Sequence, residues 1–81
     1  MSHAVYIMQS IKDLQYYIGE TENVVARMAF HNAGLQRSTR NRIPFRLVLT
    51  EIYPTRKKAL KRERQIKSWG GKAFHKLIKG M

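Results

Sequence analysis

The stretch from Val5 to Gly19, VYIMQSIKDLQYYIG, limits the fold more than any other part of the chain. Ala4 to Met8 is a short apolar run with Val, Tyr and Ile, side chains that suit a pleated, buried strand. The polar segment QSIKDLQ, with the only aspartate, Asp13, is a turn. YYIG makes a second strand that stops at Gly19, so the two runs predict a β-hairpin. If Tyr6 and Tyr17 are opposed across it, their rings share one face of the sheet. A cross-strand aromatic pair contributes ~0.2–1 kcal/mol, so packing alone is reason enough for two tyrosines there.

The remaining segments predict how the hairpin is covered. Thr21 or Asn23 caps a helix with Glu20 or Glu22 in its first turn, where a carboxylate suits the positive end of the dipole. That helix runs to about Asn32, with Gly34 as its stop and Val24, Val25 and Met28 as its core stripe. LQRSTRNRIP, Leu35 to Pro44, reads as an exposed, arginine-rich loop. FRLVLTEIY is a third strand closed by Pro54. Thr55 caps a second helix, RKKALKRERQIKSW, ended by Gly70 and Gly71. In KAFHKLIK, Phe74, Leu77 and Ile78 fall at helical spacing, which predicts a third helix packed back on the rest. The fold class expected is α/β of the α+β type, one domain over residues 1–81. A three-stranded, mostly antiparallel sheet is flanked by helices in the order β-β-α-β-α-α.

Charge narrows the function. Sixteen Lys and Arg stand against five acids in 81 residues, a net charge of +11 and a pI near 10.6. That is the electrostatic footprint of a nucleic-acid binder, and the basic residues are spread over more than one segment, unlike a membrane-surface helix. The absence of cysteine removes disulfides, thiolate nucleophiles and cysteine-ligated zinc. His3, His31 and His75 have no metal-ligand spacing. The longest apolar run, AVYIM, is too short for a membrane span or a signal peptide, so the expected location is cytoplasmic, with no membrane partner and no small-molecule cofactor.

Two helical positions look like chemistry. Arg27 shares a face with Asn23 and His31, four residues to either side, next to the apolar stripe. A planar guanidinium there suits a phosphate, although a solvated polar face has the same pattern. Glu63 is the one acid between Arg56 and Lys67. It falls in the apolar stripe of Ala59, Leu60 and Ile66. A carboxylate turned toward the sheet has to be paired, hydrogen-bonded or bound to a metal. An ion pair with Lys67, four residues on, is the structural alternative.

Together these residues resemble the GIY-YIG nuclease superfamily, especially its small single-domain members. AVY (Ala4, Val5, Tyr6) stands where that family has G-I-Y, and YIG (Tyr17, Ile18, Gly19) is intact. Arg27 follows the second motif tyrosine by ten residues, Glu63 matches the metal-binding glutamate of the later helix, and RMAFHN carries His31. The similarity runs from about His3 to Ser68. Ala4 replaces the first glycine, Glu20 stands where some repair nucleases carry lysine, and Ser38 where small members often carry an aromatic.

The resemblance implies a metal-dependent endonuclease of low sequence specificity, active in DNA repair or processing, with DNA favoured over RNA. It implies Tyr6 as the base toward water, its pKa lowered by a cation on Glu63 and by Arg27. Tyr17 would orient the water or the phosphate, Arg27 would stabilise developing charge, and His31 would assist proton transfer or bind phosphate. The cofactor is a hard divalent ion, Mg2+ or Mn2+, held by Glu63 and several waters. Arg37, Arg40 and Arg42 of the loop and Lys57, Lys58, Lys61, Arg62 and Arg64 of the helix would contact backbone phosphates, which position without reading sequence. The alternatives are a nucleic-acid-binding module that has lost useful catalysis and a ribosome-associated RNA-binding protein.

Overall fold

The computed structural model describes residues 2–80. Strands β1 (His3–Ser10), β2 (Tyr16–Thr21) and β3 (Phe45–Tyr53) form one antiparallel sheet in the order β2-β1-β3. Helices α1 (Val24–Asn32), α2 (Arg56–Lys67) and α3 (Gly71–Lys79) complete the order β-β-α-β-α-α. The expected α+β architecture is the one observed, and β3 has the predicted limits.

Alternation along the central strand decides which helix covers which face. Val5 and Ile7 point to one side, where they pack with Leu49, Ala59 and Ile66 under α2, and Phe74 and Leu77 of α3 close that cluster. Tyr6 and Met8 point to the other side, against Phe45, Val24 and Met28 under α1. Both faces of β1 are therefore covered, and Ala4 to Met8 are all buried. Burying a side chain such as Ile7 contributes about 1.5–3 kcal/mol, so these two thin clusters hold the sheet between its helices.

Local differences from the expected elements have clear causes. The hairpin strands are longer than the apolar runs. Gln9 and Ser10 extend β1, and β2 continues through Glu20 to Thr21 rather than stopping at Gly19. Ser10 holds the turn: its hydroxyl accepts the backbone N–H groups of Lys12 and Asp13 and donates to the Arg42 carbonyl. Tyr6 lies opposite Gly19 and Tyr17 opposite Met8, so the tyrosines are diagonal neighbours on one face, not directly opposed.

In α1, Asn23 is the cap, accepting from the Ala26 N–H, and no acid occupies the first turn because Glu20 belongs to β2 and Glu22 precedes the cap. Val25 is 82% exposed and leaves the stripe to Val24 and Met28. α2 ends at Lys67, two residues before Trp69, where the chain turns toward α3. The arginine-rich segment is not a plain exposed loop. It holds a 3-10 helix at Arg40–Arg42, and Thr39 before it is fully buried. Asn32 pins the end of α1 to the sheet by exchanging two hydrogen bonds with the backbone of Phe45, at 2.7 and 3.1 Å.

Candidate active site

The residue of α1 that is fully buried is a histidine, His31. It points at the sheet face that carries Tyr6, and the Tyr6 hydroxyl lies 2.9 Å from His31 Nε2. On the far side of the ring, His31 Nδ1 is 2.9 Å from Thr39 Oγ1. Tyr17 closes the group, with its ring centroid 5.2 Å from His31 and 6.2 Å from Tyr6. A buried imidazole fixed at both nitrogens has one orientation available, unlike a histidine on a solvated helix face.

The room for this arrangement comes from Gly19. Tyr6 faces it across the ladder, and the tyrosine ring extends over the glycine backbone. Glycine inside a strand marks such a close approach. The result is a cleft of about 240 Å³ whose walls include Tyr6, Tyr17, Arg27, His31 and Glu63. The five residues expected to carry chemistry therefore line one cleft, although they come from β1, β2, α1 and α2. A wider hollow of about 580 Å³ lies alongside and shares Glu20 and Arg27 as walls.

Without a metal ion, Tyr6 is far from a base: burial drives the phenol well above its ordinary range, Tyr17 adds to the rise, and the opposing pull of Arg27 is smaller. An isolated phenolate at Tyr6 is unfavourable because the ring sits between the sheet and α1. His31 moves the other way. Burial, and then the neighbouring Arg27 charge, hold its imidazole below the ordinary histidine value, so it is neutral at pH 7. The pair at physiological pH is a protonated phenol against a neutral imidazole.

Glu63 lines the cleft, and one of its oxygens accepts from Lys67 Nζ at 2.6 Å. Among the described residues, no group of three histidines or acids stands close enough to hold a metal ion. A metal at Glu63 would thus rest on one carboxylate plus waters, a set that fits a hard, strongly hydrated cation such as magnesium. The helical ion pair is no obstacle, because such a pair is worth only ~0.2–0.5 kcal/mol. Glu20 is tied elsewhere, to His3 at 3.0 Å and Arg56 at 3.3 Å.

The basic residues fall into two groups. Arg42 is paired with Asp13 at 3.0 Å and lies over the Phe45 ring. Arg62 holds Glu51 through two hydrogen bonds, at 2.8 and 3.1 Å, and stacks on Trp69. Both are structural ties within the fold. Arg37, Arg40, Lys57, Lys58, Lys61 and Arg64 are exposed. On α2, Leu60 and Glu63 face the cleft, whereas Lys58, Lys61 and Arg62 border a separate hollow with Tyr53. Thr39 and Gln36 escape a reading of the sequence because they sit in a polar stretch. The packing role of Gly19 escapes it too, although a glycine inside a strand was the signal that could have found it.

Comparison with known proteins adds an independent line. Residues 2–77 match the profile of the GIY-YIG catalytic domain. The chain is 40% identical over 77 residues to a UPF0213 protein of Staphylococcus haemolyticus, covering 94% of this chain and 93% of that one. It is 40% identical over 79 residues to a UPF0213 protein of Staphylococcus aureus, covering 96% and 95% respectively. The solution NMR structure of a UPF0213 protein from Bacillus halodurans is 35% identical, covers 98% of this chain and 84% of that one, and superposes with a TM-score of 0.63.

Proposed function

The chain belongs to the GIY-YIG family, and from that footing we propose that residues 1–81 form a single nuclease domain hydrolysing nucleic-acid phosphodiesters with a divalent metal. The observation that carries this reading is the 2.9 Å Tyr6–His31 hydrogen bond in a cleft shared with Tyr17, Arg27 and Glu63.

The chemistry follows from the two protonation states. Water attacking phosphorus must lose a proton, and a buried phenol is a poor base by itself. As Tyr6 Oη accepts the proton of the water, it passes its own to His31 Nε2, so the positive charge comes to rest on the imidazole and no free phenolate persists. The displaced oxygen takes its proton from solvent. Arg27 stabilises the charge that develops on the phosphate, and Tyr17 orients the water or the phosphate. Glu63 would hold a Mg2+ or Mn2+ ion, which when bound would supply Lewis-acid chemistry to the phosphate.

The substrate class is DNA in preference to RNA, bound through exposed lysines and arginines with little sequence preference, in a repair or processing role. The location proposed is the cytoplasm; no helix among the described residues is long and apolar enough to cross a membrane. The test is nicking of a supercoiled plasmid by the purified protein. Cleavage that needs magnesium or manganese and stops with a chelator supports the proposal, and intact plasmid under every metal condition contradicts it. One observation favours a binding module instead: burial holds Tyr6 protonated. Tight, chelator-insensitive DNA binding without any cleavage would select that reading.

A further inference from the structure

Thr39 is fully buried in a segment otherwise rich in exposed arginine, and its hydroxyl meets His31 Nδ1 at 2.9 Å. Tyr6 is 2% exposed, and its hydroxyl has His31 Nε2 as its hydrogen-bond partner. A buried O–H must be donated, so Nε2 is the acceptor and carries no hydrogen. A neutral imidazole with bare Nε2 has its hydrogen on Nδ1. That N–H donates to Thr39 Oγ1, and the threonine hydroxyl turns its own hydrogen to the Gln36 carbonyl, 3.5 Å away.

We infer that Thr39 is a positioning residue that selects the Nδ1–H tautomer of His31 and so keeps Nε2 open to the Tyr6 proton. The inference rests on the nuclease reading of the cleft for its consequence in catalysis, but not for the tautomer itself. A threonine is suited to the task because its single hydroxyl both accepts and donates, while its methyl group fills the buried site. In Thr39→Val the shape is kept and the acceptor is removed. An Nδ1–H would then point at a methyl group, so the hydrogen moves to Nε2, which turns from acceptor into donor toward Tyr6. The base is then blocked without any change of fold.

The direct test is the nitrogen chemical shifts of His31 in metal-free protein, read by long-range proton–nitrogen NMR. The expected result is an Nδ1–H tautomer in wild type and Thr39→Ser, and Nε2–H in Thr39→Val. In the cleavage assay, kcat of Thr39→Val falls by about 10²-fold or more, the typical contribution of a positioned base. KM stays as in wild type, and Thr39→Ser recovers the rate. A wild-type Nε2–H tautomer, or a Thr39→Val protein that keeps Nδ1–H, overturns the inference. If Thr39→Val does not fold, Thr39→Ala, which also removes the acceptor, takes its place: Nε2–H there supports the inference and Nδ1–H overturns it. A wild type that never cleaves, with a tautomer that switches from Nδ1–H to Nε2–H in Thr39→Val, sinks the nuclease reading and leaves the role of Thr39 standing.

Discussion

Gly19 lies opposite Tyr6 in the β1–β2 ladder, and the tyrosine ring occupies the space a side chain at Gly19 would need. A Cβ on Gly19 would sit 2.6 Å from Tyr6 Oη and 2.7 Å from Cζ. The last residue of the YIG motif is therefore a requirement of the first tyrosine. Gly19→Ala is expected to push the Tyr6 hydroxyl away from His31. A misplacement of this size costs on the order of 10²-fold in rate even when folding survives. Circular dichroism and melting check the fold, and single-turnover cleavage checks the rate. A Gly19→Ala protein as active as wild type would show that the Tyr6 position is immaterial.

The pH dependence follows from His31. Its pKa is lowered in the folded protein, by burial and then by Arg27. The unfolded chain therefore binds the proton first as pH falls below about 6.5, and folding stability declines on the acid side. Activity needs the neutral imidazole, so the rate should hold at pH 7 and drop only below the ordinary histidine range. Urea midpoints from pH 5 to 8 should show this decline in wild type and a shallower one in His31→Gln. A wild-type rate that rises on acidification would contradict the role of His31 as acceptor.

Arg62 should behave as a structural residue. Its hydrogen bonds hold the Glu51 carboxyl below the ordinary range, so the pair stabilises above about pH 4.5 and its contribution disappears as pH falls through the lowered value. Arg62→Gln is expected to cost about 1 kcal/mol of stability, the upper end for partly exposed pairs, with DNA affinity little changed. Lys57→Gln and Arg64→Gln should do the reverse. Removing one cation from the phosphate backbone reduces the slope of log K against log salt by about 0.9 on duplex DNA. Affinity and urea titrations on the three variants separate the two kinds of residue.

Much of this was readable from the sequence because strand alternation and helix caps are local. The limits of β3, from Phe45 to Tyr53, and the Thr55 cap of α2 are set by neighbours in sequence. Tyr6, Tyr17, Arg27, His31 and Glu63 could be singled out one by one from motif spacing, and they line one cleft although four different elements supply them. What escaped depends on neighbours distant in sequence. Val25 has the composition of a core residue but lies on the outer side of a short helix. Thr39 sits among arginines and is buried only because α1 brings His31 to it. The rise in the Tyr6 pKa belongs to its depth between sheet and helix, which no residue spacing encodes.

Glu63 should connect metal to stability. Magnesium bound to the folded state alone raises the melting temperature of wild type, and Glu63→Gln should lose that rise along with cleavage. DNA binding should persist in the variant, since one negative charge has left a site meant for phosphate. The pair with Lys67 is weak, so Glu63→Gln should melt close to metal-free wild type. A variant that melts far lower, together with a wild type indifferent to magnesium, would make Glu63 a structural residue only.

The central claim is that the Tyr6 hydroxyl relays the proton of the attacking water to His31, and Tyr6→Phe removes that hydroxyl while leaving the ring packed against Gly19. The measurement is single-turnover cleavage of a labelled DNA in magnesium by wild type and Tyr6→Phe, with binding measured on the same samples. The account predicts unchanged affinity and a rate lower by at least about 10²-fold, the typical contribution of a proton-transfer group. A Tyr6→Phe protein that cleaves at the wild-type rate would contradict it.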